Sequence, residues 1–490
     1  MRLRLPESAW ARCGLAALVG AAGVLAFAPF ELFWLAWPVW LALFLLLRAE
    51  TGARAGFLTG LCFGWGFFLT GTSWVYVSLS VFGGMPFWLA GIATLLFCTV
   101  LALLPAFAGV VFVRWRPATA WRQALWFGAL FFAADWLRGW LFTGFPWLAL
   151  GYSQTPPSPM AGYAPLLGVY GLTLLVAASA ALLVRWRVGV PVLAVLLALG
   201  GGLRQVEWTD PVGMPIQVAL VQGNVAQDMK FRPEQFVRTL ISYRDLIDRH
   251  PAQLTVLPET AIPAFYDQLP PEFIDELRQL ARRQGGDLIF GVPTGEGERY
   301  WNSAVTLGTS SEQHYRKRHL VPFGEIIPPG FDWFLALARI PLASFTRGEA
   351  GQAPLAVAGQ HVAANICYED AFGEEIIEAL PKATLLANLS NTAWFGRSLA
   401  QPQHLQIARL RTLETGRPML RATNTGMTAV LGARGEIVAA LPPFTTGVLR
   451  AEIRGYQGMT PFARAGNWLA AALALIAALA AFALCRRAVA

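Results

Sequence analysis

Three residues of this sequence have types and settings suited to nucleophilic acyl chemistry. Glu259 ends the run LTVLPE, Lys317 stands in YRKRHLVPFGE, and Cys367 lies near the end of HVAANICYE. Each sits at, or just beyond, the end of an apolar run of strand character, where side chains from different strands can converge on one pocket. Singly, each has an ordinary reading. A glutamate after a strand is usually solvated, a lysine beside Arg316, Arg318 and His319 is usually surface charge, and a lone cysteine is usually a small buried hydrophobe. The setting of Cys367 favours chemistry: the membrane pattern below puts it in an oxidising exterior, where an unpaired thiol is a liability unless it has a task.

A Glu-Lys-Cys set can work without histidine. Ordinary Cys and Glu are mismatched by about 4 pKa units, roughly 5.7 kcal/mol, so an exposed Glu259 could not deprotonate the thiol efficiently. Burial is expected to close the gap by raising Glu259, while a nearby Lys317 ammonium lowers Cys367 and faces a developing oxyanion. The backbone N–H of Tyr368 is placed to serve as a second oxyanion donor.

The elements that must position these residues begin near Pro215. Strand-like runs at 216–222, 254–259, 287–293, 302–308, 361–369, 384–390, 427–433 and 447–453 alternate in part with helical stretches at 233–250, 271–284, 374–380 and 401–415. This is the pattern of an α/β domain, and about 250 residues are ample for one core.

The rest of the chain is apolar. With 55% hydrophobic and only 14% charged residues in 490, the sequence has too little polar surface for a soluble protein of this length. Runs long enough to span a bilayer, about 20 residues each, lie near 13–27, 33–47, 57–79, 88–113, 121–141, 166–184, 188–203 and 468–484, which makes about eight spans. Arg2, Arg4, Arg12, Arg48, Arg54, Arg114, Arg116, Arg122, Arg185, Arg187, Arg486 and Arg487 all fall on one side of this pattern, and the alternate loops carry no Lys or Arg. The orientation rule then places both termini in the cytoplasm and the α/β domain outside. The expected organisation is a bundle at 1–204, a catalytic domain at 205–466 and a last helix with a short tail at 467–490. The net charge of +8 is accounted for by these clusters and does not indicate nucleic acid. The five cysteines show no CxxC or Cys/His spacing, so neither a disulfide framework nor a metal site is expected. Asp135 and Arg138, three apart in the fifth run, suit a structural ion pair better than a lipid headgroup contact. The apolar stretch 328–345 reads as an interfacial lid or arm rather than a buried core helix.

Taken together, LPETAIP, YRKRHLVPFGE, NICYED, NLSNTAWFG and HLQIARLRTLETGRPMLRATNTGMTAVLGARGEI resemble the nitrilase, or carbon-nitrogen hydrolase, superfamily. With the multi-span N-terminal half, VQGNVAQDMKF and TPFARAGNW, the resemblance narrows to the apolipoprotein N-acyltransferase family. It implies an αββα sandwich, no cofactor, and a ping-pong transfer between two partners. A phospholipid, typically phosphatidylethanolamine through its sn-1 acyl, donates to Cys367, and the α-amino group of a diacylated apolipoprotein accepts. By the same resemblance Glu259 is the general base, Lys317 the oxyanion stabiliser and Glu325 the carboxylate supporting it. Tyr368 and Glu369 match the residues after the nucleophile, and Trp394 matches a pocket aromatic. Phe231 stands where the family has tryptophan, which preserves aromatic packing but not an indole N–H contact. The residues alone leave two rivals open: a membrane-anchored amidase using water as second nucleophile, and a non-catalytic scaffold or transporter.

Overall fold

The computed structural model describes residues 8–230, 232–326 and 345–483, so Phe231 and nearly all of the stretch 328–345 lie outside the described residues. The chain divides into two compact units: one holds residues up to Tyr76, Pro86–Val206 and the chain from Ala465, and the other holds Val77–Met85 and Glu207–Arg464.

The first unit is helical because its long apolar runs must satisfy backbone groups within each segment. Helices run Ala9–Gly23, Ala36–Ala49, Ala53–Thr72, Phe87–Arg114, Ala120–Arg138, Ala164–Leu182, Trp186–Leu203 and Trp468–Phe482. Among the described residues, four helical segments are long and apolar enough to cross a membrane: Ala9–Ala26, Ala53–Thr72, Phe87–Arg114 and Pro159–Leu203. The last contains both the sixth and seventh expected spans, with non-helical backbone at Gly168 and a break at Arg185. Helix contacts use small residues. A Cβ at Gly60 would collide with the Pro105 carbonyl, so the helices at 53–72 and 87–114 approach backbone to backbone. Asp135 and Arg138 form the expected pair at 2.6 Å; Asp135 also accepts from the Leu150 N–H and the Thr173 hydroxyl, both at 2.8 Å.

In the second unit the strands are β1 (Asp210–Gln222), β2 (Leu254–Val256), β3 (Asp287–Glu296), β4 (Arg299–Gly308), β5 (His314–Arg316), β6 (Leu355–Val357), β7 (Gln360–Ile366), β8 (Leu385–Ser390), β9 (Met419–Thr423), β10 (Ala429–Leu431), β11 (Ile437–Ala440) and β12 (Gly447–Gln457). They form two six-stranded sheets, ordered β12-β1-β2-β3-β4-β5 and β11-β10-β9-β8-β7-β6. Alternation along the strands supplies two apolar faces per sheet. Ile216, Val218, Leu220 and Val256 of one sheet meet Val362, Ala364, Ile366 and Leu389 of the other in a shared interior. The outer face of the first sheet buries Leu257, Leu288 and Phe290 against Leu240, Tyr243 and Leu277 of the helices Pro233–Arg249 and Pro271–Arg283. The outer face of the second buries Ala363, Leu386 and Met419 against Ile376, Leu405 and Ala408 of the helices Gly373–Ile376 and Ala400–Thr415. The layers are therefore helix, sheet, sheet, helix.

Strand direction sets up the site. β1, β2 and β3 are mutually parallel, β4 and β5 return as antiparallel neighbours, and β7, β8 and β9 are parallel. The C-terminal ends of β2 and β5 and the beginning of β4 thus share one edge of the first sheet. The ends of β7 and β8 share one edge of the second.

Candidate active site

Glu259 follows β2 on a turn pressed against β3. The Leu257 N–H bonds the Ile289 carbonyl at 2.8 Å and the Gly291 N–H bonds that of Pro258 at 3.2 Å. A Cβ at position 291 would sit 2.6 Å from Glu259 Cα, so glycine there permits the approach. The buried Glu259 carboxylate is fully engaged. Oε1 accepts from Asn302 Nδ2 at 2.8 Å and Lys317 Nζ at 3.3 Å, and Oε2 accepts the Asn391 N–H at 2.8 Å. That last bond joins the two sheets at their shared edge.

Lys317, one residue beyond β5, is 1% exposed. Its ammonium lies 2.9 Å from Glu325, which also accepts from Asn302 Nδ2 at 2.9 Å and from the Val321 N–H at 2.9 Å. One lysine and one asparagine amide therefore bridge two carboxylates. Burial opposes charge on Lys317, but Glu325, Glu259 and Cys367 outweigh it and hold its pKa above the ordinary lysine value.

Cys367 directly follows β7 with φ of +54°, a left-handed conformation that costs a non-glycine residue roughly 1–2 kcal/mol. Two donors hold its carbonyl, Asn388 Nδ2 at 3.0 Å and His404 Nε2 at 3.3 Å. Behind them a buried network joins His404 to Asp370 at 2.7 Å, and Arg421 to Asp370 at 2.9 Å and to Asn388 at 2.6 Å. Glu369 ties this strand end to the lysine segment, accepting the N–H groups of Ile366, Arg318 and His319 at 2.6, 2.7 and 3.0 Å and the Tyr315 hydroxyl at 3.0 Å. Burial pushes Glu369 up to about 7 despite these donors. Tyr368 is buried, its ring edge-on to Phe372 at 5.1 Å. Trp394, in a turn after β8, is 41% exposed; its carbonyl accepts the Ser78 hydroxyl at 2.8 Å and its ring meets Phe82 edge-on at 6.1 Å.

The electrostatics correct one expectation. Burial alone would raise Glu259, but Lys317, Asn302, Lys230 and the Asn391 N–H hold it below its ordinary value. Burial and the charge of Glu259 push the Cys367 thiol up, against the pull of Lys317. The gap between acid and base is therefore wider at rest than in free side chains, because a lysine shared by two carboxylates stabilises ionised glutamate more than thiolate. The resting pair is a neutral thiol and an ionised carboxylate. Proton transfer is then suited to occur during attack on a carbonyl, when the negative charge reaches an oxygen that Lys317 can bind.

Sequence reasoning placed Glu259, Lys317, Cys367, Glu325 and Glu369 near one another without seeing Asn302, Asn388, Asn391 or the Asp370–His404–Arg421 network. Asn302 opens NSAVTLG, and Asn388 and Asn391 stand in NLSN. Asparagines within or just after strand-like runs were the available signal, and it is a common one.

The family model for the apolipoprotein N-acyltransferase N-terminal domain matches residues 19–182, and that for carbon-nitrogen hydrolase matches residues 217–458. An apolipoprotein N-acyltransferase of Nitrosomonas europaea is 48% identical over 469 residues, covering 93% of this chain and 94% of its own. The chain belongs to the apolipoprotein N-acyltransferase family. Apolipoprotein N-acyltransferases of Ralstonia nicotianae and Chromobacterium violaceum are 46% and 47% identical, covering 97% and 92% of this chain and 94% and 90% of their own. As an N-acyltransferase built on the carbon-nitrogen hydrolase fold, it falls in a superfamily whose members use a Glu-Lys-Cys triad.

Proposed function

We propose that this chain acylates the N-terminal α-amino group of S-diacylglyceryl-cysteine apolipoproteins, taking the acyl chain from a phospholipid, typically the sn-1 chain of phosphatidylethanolamine, through a thioester on Cys367. The observation that carries the reading is the bridged pair of carboxylates on Lys317, charge-coupled to Cys367, in a chain that also has span-length apolar helices. In the first half-reaction the thiol attacks the ester carbonyl while its proton passes to Glu259. The oxyanion is held by the Lys317 ammonium and the Tyr368 N–H, and collapse expels the lysophospholipid alkoxide, which takes the proton from Glu259. In the second, the acceptor amine attacks the thioester carbonyl and gives its proton to Glu259; collapse breaks the C–S bond, leaves the amide, and expels the thiolate, which takes that proton back from Glu259. Glu325 and Asn302 keep Lys317 in place, Glu369 fixes the spacing of the two strand ends, and Tyr368, Trp394 and Phe231 supply aromatic surface to the substrates.

The same reading takes the chain as about eight spans in the bacterial inner membrane, with residues 1–204 and 467–490 forming the membrane part, 205–466 periplasmic, and both termini cytoplasmic. The one-sided arginines support it. A membrane site suits lipid substrates, since drawing an acyl chain into water costs about 0.8 kcal/mol per CH₂.

Incubating the purified enzyme with phospholipid alone is expected to add one acyl mass to Cys367, and hydroxylamine is expected to remove it. Lysophospholipid should accumulate stoichiometrically, and a diacylated peptide should then discharge the adduct as acylated peptide. Intact protein mass in active enzyme, or an adduct on another residue, excludes the thioester. Release of free fatty acid in place of acylated peptide would mark a hydrolase.

A further inference from the structure

A second lysine lies within the site, and the mechanism above leaves it without a task. Lys230 is 2% exposed, and among the described residues its one acceptor is the Glu259 backbone carbonyl, 3.4 Å from Nζ. An ammonium has three donors, so a buried one with a single long bond is weakly satisfied. Lys317, by comparison, has two carboxylates.

The chain holds Lys230 there deliberately. The loop after β1 is tied to Asn424: the Asn224 N–H bonds its carbonyl at 2.9 Å, the Val225 N–H bonds its Oδ1 at 2.9 Å, and its Nδ2 returns to the Val225 carbonyl at 2.8 Å. Asn424 Nδ2 also bonds Asn391 Oδ1 at 3.1 Å, and Asn391 Nδ2 bonds Gln227 Oε1 at 2.8 Å. The Asn391 N–H is the group that binds Glu259 Oε2 at 2.8 Å. One relay of amides thus fixes the Lys230 loop and the base carboxylate together.

The charges facing Lys230 give it a role. Its ammonium is attracted by Glu259 at rest and by Cys367 once that is a thiolate, and Glu259 in turn contacts Lys317, which is shared with Glu325. Around Cys367, Arg421 is paired with Asp370, and Glu369, raised to about 7, is held by the Ile366, Arg318 and His319 N–H groups. For Glu259 and Glu325, with Lys317 alone two carboxylates would face one cation in a buried pocket; with Lys230 protonated, two face two. When the Cys367 proton moves to Glu259, the S–H bond breaks, an O–H bond forms, and one negative charge leaves the carboxylate for sulfur. The balance then holds only if Lys230 stays charged, and an uncompensated buried charge is strongly unfavourable.

We propose that Lys230 is a second cation of the active centre, which keeps the pocket neutral as the Cys367 proton passes to Glu259 and negative charge moves to the thiolate and then to the oxyanion. It acts through its charge on Glu259 and Cys367 and does not itself exchange the proton. The inference rests on the reading of Cys367 as the acylated nucleophile.

Because burial draws Lys230 down to about 8, its charge is lost just above neutral pH, and this marks the test. The readout is single-turnover acylation of Cys367 by phosphatidylethanolamine in detergent micelles, followed by peptide mass across a pH series. In wild type the rate is expected to fall at least about tenfold through a midpoint near pH 8, one pKa unit of thiolate stabilisation being worth a factor of ten. Lys230→Met and Lys230→Gln should run flat at that lower level, although the glutamine keeps a donor for the Glu259 carbonyl. Lys230→Arg, which stays charged throughout, should retain a high rate with the alkaline fall removed. Thermal unfolding in the same detergent checks each variant's fold, and either neutral variant suffices. Neutral variants that match wild type at pH 7, or that are slow yet keep an alkaline fall at the same midpoint, overturn the role of Lys230 alone. Absence of acylation on wild-type Cys367 overturns the mechanism beneath it.

Discussion

Cys367→Ala and Cys367→Ser are each expected to abolish acyl transfer while leaving expression and membrane insertion near the wild-type level. The serine hydroxyl is far less acidic than a thiol, and the surroundings of Cys367 already push even the thiol up through burial and the Glu259 charge, so a hydroxyl in that place is inert. The alanine variant loses one atom at the rim of the interior between the sheets. It keeps the left-handed backbone, which the Asn388 and His404 bonds to the Cys367 carbonyl impose whatever the side chain. Stability should therefore change little, and lost transfer can be assigned to chemistry. Transfer by the alanine variant within about tenfold of wild type excludes Cys367 as the nucleophile.

Glu259→Gln and Lys317→Met are expected to fail in distinguishable ways. The glutamine amide cannot take a proton, so acyl-enzyme should not accumulate, the loss of general-base help being about 10² to 10⁴ in rate. One of the three donors now held by Glu259 also loses its acceptor, because a single amide oxygen replaces two carboxylate oxygens. Lys317→Met should slow both formation and discharge of the thioester, by about 10² to 10³ at each step, since the oxyanion forms twice. It also leaves Glu259 and Glu325 facing each other across Asn302, a broken buried pair of the kind that destabilises a fold by about 3–5 kcal/mol. That deficit has a pH signature. Glu259 is depressed in the folded protein, so its pairing stabilises above the ordinary carboxylate value of 4.5 and is lost as the pH falls through the depressed one. The methionine variant's deficit in unfolding temperature should therefore be full at neutral pH and shrink toward acid. The three groups act as a unit, and the double variant should be little worse than the poorer single one. Single-turnover transfer of labelled acyl chain onto and off Cys367 separates the roles; rapid acylation in Glu259→Gln excludes Glu259 as the activating base.

Much of the α/β unit was readable because its long strands are apolar runs with turns between them. β1, β2, β3, β4, β7, β8, β10 and β12 fall on expected runs, the three-residue β2 and β10 because each lies inside a longer apolar stretch. The strands β5, β6, β9 and β11 were missed, and three to five residues are too few to show a period. β5 matters most, because it carries the chain to Lys317. The long helix on the third expected span, 57–79, ends at Thr72, and Val77–Met85 belongs to the α/β unit, where Ser78 and Phe82 meet Trp394. Hydropathy sees VYVSLSVF as apolar and is blind to that partner.

By itself the sequence determined which residues could react. A carboxylate, an ammonium and a thiol at or beyond the ends of separate strand runs belong to one kind of chemistry, and side-chain type and local pattern are properties a linear chain carries. Only the tertiary structure decided how those groups are ionised. Whether Glu259 is raised or lowered depends on Asn302, 43 residues away, Lys317, 58 away, and the Asn391 N–H, 132 away. The same holds for Lys230, whose place beside Glu259 is set by Asn391 and Asn424. Charge–charge and desolvation energies depend on distance in space and on burial, neither of which sequence separation encodes.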